Sequence, residues 1–390
     1  MWKRPLDYAR GKRHDLRRDE RGMSFVFVGM GFLAFMAATT LAIDVGMFMT
    51  ARTQAQTAAD SGALAGATAL AFDNFDDRSP GGPAVMNAKN AAIANTVVGA
   101  APSVLPGDVT FPVGPTGNNR VAVNVYRNTA RGNPVDTLIG PLLDVPTVDI
   151  AATATAEASP ANAMTCVKPF AIPDRWIENK TPPWTTGSTF DRYDNKGKVI
   201  QNADQYIPAG QPGYVGYNST RDKGLLLTLR AGTGNNIEPS MYYSWAMPSS
   251  TGGDDYRGNI AGCNTTVVHF GDAMTQEPGD MTGPTNQGID DLIAADPYAS
   301  WDTSKNEVHS TKNPSPRVFP IPLYDPDYYQ NGKVNGRNAT LKVANWIGFF
   351  VVARNGNQVT GRITPILGVI DNNAGPAPTG TFPVAIRLVK

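Results

Sequence analysis

The chain has 390 residues, with 34 Lys and Arg balanced by 34 Asp and Glu, so a generally basic surface of the kind that grips nucleic acid is not expected. Its 39 Gly and 31 Pro exceed the ~12% that the two residues supply in ordinary globular chains and point to many turns and short strands, while a negative mean hydropathy excludes a polytopic transporter. The two cysteines form no CxxC pair, which argues against a Cys-rich zinc site, an iron–sulfur cluster or a thioredoxin-like centre.

Residues 1–22 form a basic tail carrying Lys3, Arg4, Arg10, Lys12, Arg13, Arg17, Arg18 and Arg21. From Met23 to Ile43 no charge occurs over 21 residues, just enough helix to cross ~30 Å of hydrocarbon. The first positive charge after it is Arg52, and because Lys and Arg beside a span are retained in the cytoplasm, the amino terminus is expected inside. A cleavable signal peptide is the rival reading, but the apolar run is longer than a usual h-region and lacks a clean small-residue cleavage site. The expected arrangement is an uncleaved signal anchor, with about 340 residues outside the cytoplasm.

Asp44 ends the uncharged run, yet no proline follows as far as Phe72, and the Ala, Met, Gln, Leu and Arg there favour helix. One helix over about 23–72 is predicted, roughly 75 Å long and projecting well beyond the bilayer. Ala55, Ala59, Ala63 and Ala67 recur every fourth residue, with Ala58, Gly62 and Gly66 in a second row. Such rows admit a second backbone closely. Two uses stand open: packing on the protein's own sheet, or engaging the helix of another subunit.

Arg21-Gly22 before the apolar run, Asp44-Val45-Gly46 at its end, and the stretch Gln56-Thr57-Ala58-Ala59-Asp60 through Ala67 closely resemble the amino-terminal segment of the TadE/G-like family of Tad/Flp pilus assembly. The resemblance covers about 21–67. It implies a membrane-anchored minor pilin or assembly component whose partners are pilins, pseudopilins or platform proteins. Phe27 stands at the fifth position after Gly22, where a processed type IV-like prepilin would carry Glu. The von Willebrand A-like domain of longer members is not apparent.

Residues 73–83 are a turn-rich break. A second helix is expected over 84–99, then strands at 108–113 and 120–128, a short helix at 136–143 and a strand at 147–158, with Val121, Val123 and Val125 on one side of the pleat. Residues 44–160 therefore read as a pilin-like α+β unit, a long helix on an antiparallel sheet. Beyond a hinge at 159–162, residues 161–390 read as mainly β, with strands near 225–230, 241–247, 265–270, 317–324, 340–353, 358–370 and 382–389 and one helix at 284–295.

Cys166 and Cys263 both fall in the β-rich unit. In an oxidising periplasm they are expected to form a disulfide, the alternative being two unpaired buried thiols. No GxSxG elbow or HExxH pair occurs, and neither a cofactor nor a metal site is expected. His269, in a strand-like run, reads as structural. Asp302-Thr303-Ser304 and Asp325-Pro326-Asp327 offer oxygens for a metal, and Asp254-Asp255 and Asp290-Asp291 offer acid/base groups, but the first two read as solvated turns, adjacent carboxylates point apart, and Asp290-Asp291 suits the first turns of the 284–295 helix; Tyr242, Tyr243, Trp245, Tyr298 and Trp301 read as core before binding surface. The expected function is assembly through helix packing, without catalysis. The alternative is an anchored envelope enzyme or carbohydrate-binding protein using residues 161–390.

Overall fold

The computed structural model describes residues 20–73, 77–114, 119–232, 236–248, 250, 252–312, 314–334 and 340–389. The basic tail through residue 19 and the side chain of Arg21 lie outside them. The architecture is α+β. Its first element, α1 (Glu20–Phe72), is one unbroken helix of 53 residues, as the proline-free sequence requires. At its carboxyl end Lys223 Nζ, from the β-rich part of the chain, donates to the Phe72 carbonyl at 3.0 Å, placing a cation where the helix dipole is negative.

The second helix, α2 (Pro83–Ala94), starts on a proline that suits its first turn and lies along α1. Both pack on a four-stranded antiparallel sheet in the order Val109–Thr110, Arg120–Arg127, Ile150–Pro160, Val384–Val389. The register sets Val121 opposite Ala156, Val123 opposite Ala154 and Val125 opposite Ala152, so valine and alanine alternate across the face that meets α1. That face and the two helices share one core.

The last strand departs from the division of the chain at residue 160. Val384–Val389, expected in the β-rich unit, pairs with Ile150–Pro160 and completes the first sheet. Glu157, buried there, holds Arg120 at 2.6 Å and Arg387 at 3.5 Å, so one carboxylate joins three strands.

Between these strands the chain builds a second, mainly β body. Six strands, Leu341–Asn355, Val318–Tyr324, Phe170–Pro173, Met241–Ser244, Leu226–Ala231 and Gln358–Thr364, pair successively, and the last pairs back with the first to close a barrel. Parallel pairings join Val318–Tyr324 to Phe170–Pro173 and Leu226–Ala231 to Met241–Ser244. Phe170, Ile172, Leu227, Leu229, Phe319, Ile321, Ile347, Phe349, Val359 and Ile363 fill one core. Three helices complete it: α3 (Gly253–Ala261), α4 (Thr282–Ala295) and α5 (Pro326–Val334). Cys166 and Cys263 form a disulfide; its 97-residue loop confines the unfolded chain in a way that contributes up to ~4.7 kcal/mol on a chain-entropy account.

Asp174 is fully buried in this body. One oxygen accepts the Tyr217 and Arg175 amides, at 3.0 and 2.8 Å, and the other the Tyr206 and Tyr214 hydroxyls, at 3.0 and 2.9 Å. Burial pushes it up to about 6 even against those four donors, above the ~3.9 of an unfolded chain. The folded state therefore keeps a proton that the unfolded state releases between about pH 4 and 6, and stability falls as pH rises through that window, by about 3 kcal/mol in all. Asp174→Asn should remove this slope, because an amide offers an oxygen to the two N–H groups and an NH2 to the two phenols. Urea midpoints of both proteins between pH 4 and 7 check it: their difference should change across the window and level off above it.

Candidate functional site: the helix from apolar span to core

Two environments divide α1. Gly22 to Ile43 touches almost nothing else in the chain, and among the described residues α1 is the helix long and apolar enough to cross a membrane. Burial begins at Asp44 and recurs at Ala51, Ala55, Ala58, Ala59, Gly62, Ala63, Gly66, Ala67 and Leu70, the 3.6-residue period of a helix with one face on a core.

The alanine and glycine rows are thus occupied from within. Ala55, Ala58, Ala59, Ala63 and Ala67 are fully buried with Ala84, Ala88 and Ala92 of α2 and with Val121 and Val123 of the sheet. A methyl group added at Gly62 would sit 2.9 Å from both the Ala88 carbonyl oxygen and the Ala92 Cβ, and one at Gly66 would meet Val121 Cγ1 at 2.8 Å and Ala88 Cβ at 2.9 Å. These are closer than van der Waals contact permits. Of the two uses the sequence leaves open, the structure shows the inner one: the small side chains bring α1, α2 and the sheet together within one chain.

Asp44 is the first member of this face beyond the apolar stretch. It is only 4% exposed, and its two oxygens accept the amides of Leu138 and Ile139 at 2.8 and 2.9 Å. Those residues belong to a hairpin whose arms pair Val135 with Val148 and Asp136 with Thr147. The short helix expected over 136–143 is reduced to a 3-10 turn, Gly140–Leu143. Gly140 has no room for a side chain, since a Cβ would fall 2.0 Å from Thr137 Oγ1. The sequence marked Asp44 as the end of the apolar run; its partner, 94 residues away, carried no local pattern.

The other motif residues have separate surroundings. Gln56 Nε2 donates to Asp60 Oδ1 at 2.8 Å, one turn on, and to the Thr153 carbonyl of the sheet at 3.3 Å. Gln54, which the sequence did not single out, accepts the Val98 amide at 2.7 Å beyond α2. Gly22 and Gly46 face open space.

The candidate chemical groups of the barrel body are drawn into its framework. Asp290 and Asp291, expected in the first turn of a helix, lie in the later part of α4 and pair with Arg354 at 2.7 Å and Arg257 at 2.8 Å. Asp325 caps α5 by accepting the Tyr328 amide, and Asp302 closes a hairpin turn on Ser304 and Lys305. Tyr242, Tyr243 and Trp245 are buried, whereas Tyr298 is exposed and Trp301 stacks near Phe350, so the five aromatics form no common surface. His269 Nε2 lies 2.9 Å from Asp371 in a polar cleft of about 430 Å³. A larger apolar cleft of about 640 Å³ runs past Phe72, the disulfide, Leu292 and Phe319. Lys168 borders it, its ammonium pushed down to about 8 by burial and donating to the Asn259 and Gly262 carbonyls.

Residues 22–69 match the Tad family, the TadE/G-like proteins of Flp pilus assembly. No curated protein and no solved structure matches the chain. The matched segment is α1 almost to its end: the apolar span, Asp44, and the buried face as far as Ala67.

The tight packing predicts the effect of enlarging it. Gly62→Leu should force α1 from α2 and cost about 1–3 kcal/mol or more, seen as lower protein level and faster proteolysis. Asp44→Ala should leave the protein folded but strip two amides of their acceptor, so that hydrogen exchange at Leu138 and Ile139 accelerates while the strand Arg120–Arg127 is unchanged.

Proposed function

We propose that this protein is a single-pass, membrane-anchored component of Tad/Flp pilus assembly, working through protein contacts rather than catalysis. The observation that carries the reading is the coincidence of the family match, residues 22–69, with the one helix that passes from a bare apolar stretch into a core. Eight Lys and Arg precede that stretch, which favours a cytoplasmic amino terminus. The disulfide agrees with a periplasmic location for the barrel, since such bonds persist in oxidising compartments.

On this reading the anchor holds the subunit in the inner membrane, and α1 acts as a rigid stalk that sets the barrel at a defined height. Partners among pilins, pseudopilins or platform proteins meet the uncovered part of α1 within the bilayer and the outer surface of the barrel. The face from Ala55 to Ala67 serves the subunit's own fold.

Two measurements test it. A phosphatase fused after Lys390 should be active in cells, and a silent phosphatase with an active cytoplasmic reporter at the same place would reverse the orientation. A photo-crosslinking residue at Ala38, within the span, should yield adducts with pilus proteins in intact membranes. Adducts confined to cell-wall enzymes would overturn the assembly role.

A further inference from the structure

The hairpin held by Asp44 stands at a particular height. With Met23 at one edge of the hydrocarbon, 21 residues of helix rising 1.5 Å each bring Asp44 to the other edge, about 30 Å away. The Leu138 amide is 2.8 Å from Asp44, so the hairpin tip lies at the boundary between acyl chains and headgroups. At that tip Leu138 is 61% exposed and Val145 49%, and Pro141 is exposed between them. On α1 beside them Ile43 and Val45 are also exposed. Apolar side chains are thus exposed both at the end of the span and on the hairpin that Asp44 holds.

The polar groups fit the same placement. Asp44, which would otherwise face lipid at the membrane edge, is covered by the hairpin and satisfied by two amides. Thr137 Oγ1 donates to the Val145 and Pro146 carbonyls, and the Val145 amide to the Gly140 carbonyl, so the turn enters a poorly hydrated layer with few bare backbone groups. Asp136 and Asp144 are exposed and keep the tip from going deeper than the headgroups.

We propose that the hairpin Val135–Val148 is a second membrane contact: its tip rests in the outer face of the bilayer, with Leu138 and Val145 among the upper acyl carbons. The occupant of this patch is lipid, and because the tip carries acidic rather than basic residues, zwitterionic headgroups suffice. Together with α1 the hairpin makes a two-point attachment that fixes the tilt of the stalk. The inference rests on the reading of Gly22–Ile43 as a span.

The full chain in phosphatidylcholine nanodiscs provides the test, with a nitroxide attached to Leu138→Cys or, separately, Val145→Cys; Cys166 and Cys263 are engaged with each other. Phe32→Cys reports the span and Thr228→Cys, on an exposed barrel strand, reports water. The ratio of oxygen to nickel-chelate accessibility at Leu138 and Val145 should lie well above that at Thr228 and below that at Phe32, as for side chains at an interface. Values equal to those at Thr228, with Phe32 lipid-like, overturn the hairpin contact and leave the span intact. Exclusion of both reagents from Leu138 and Val145 overturns it too, since protein rather than lipid then covers the tip. A water-like Phe32 instead removes the span and the inference with it.

Discussion

Everything in this molecule depends on one helix whose two halves have opposite surroundings. From Met23 to Ile43 α1 carries no charge and bonds its backbone groups within the helix, as hydrocarbon would require. The second half is stable in water only because its inner face is covered. What covers it must come very close, since the face is made of alanine and glycine, which individually bury little area. The gain comes from proximity: with Ala58, Ala59, Gly62 and Gly66 against Ala84, Ala88 and Ala92, backbone dispersion contacts replace those that larger side chains would make. The same economy explains the alanines at 152, 154 and 156, which let the sheet approach the helix from its other side.

The transition between the two halves is abrupt, and Asp44 marks it. A charged side chain on a helix near hydrocarbon is costly unless it finds partners, and here the partners are backbone amides of a distant hairpin. The residue that ends the apolar run is thus also tied to the folded body, and its carboxyl group sets where the bare stretch stops and the core begins. Gln54 and Gln56 extend this pattern upward, each reaching a backbone group of a neighbouring element.

Much of this was legible in the sequence because it is local. A proline-free run defines α1, valines at 121, 123 and 125 define a pleat, and two cysteines in one predicted unit define a bridge. The content of the small-residue face was equally clear, but not its owner: a row of alanines admits any close backbone, and only the position of α2 decides. Long-range closure was not legible. Nothing in Val384–Val389 distinguishes a barrel strand from a strand that crosses back to Ile150–Pro160, because alternation encodes a buried face and not a partner. Helices α3 and α5 were missed for a related reason, as Gly253–Ala261 and Pro326–Val334 are short and polar and are held by packing through Tyr256, Ile260 and Tyr329 rather than by propensity.

That returning strand gives the barrel its relation to the stalk. A domain joined by one linker can rotate about it, whereas here the chain leaves the first sheet at Pro160 and re-enters it at Val384 beside its point of departure. Between the two crossings, the Ala161 amide donates to the Pro383 carbonyl, the Ala163 and Val369 backbones exchange hydrogen bonds, and Asn162 donates to the Asp371 and Gly375 carbonyls. Lys223 adds a tie from the barrel to the end of α1. Rotation of the barrel would have to break these bonds together and leave the buried Asn162 side chain without its partners. The barrel is therefore carried in a fixed orientation on the helix, and whatever orients α1 also orients the surface that the barrel presents.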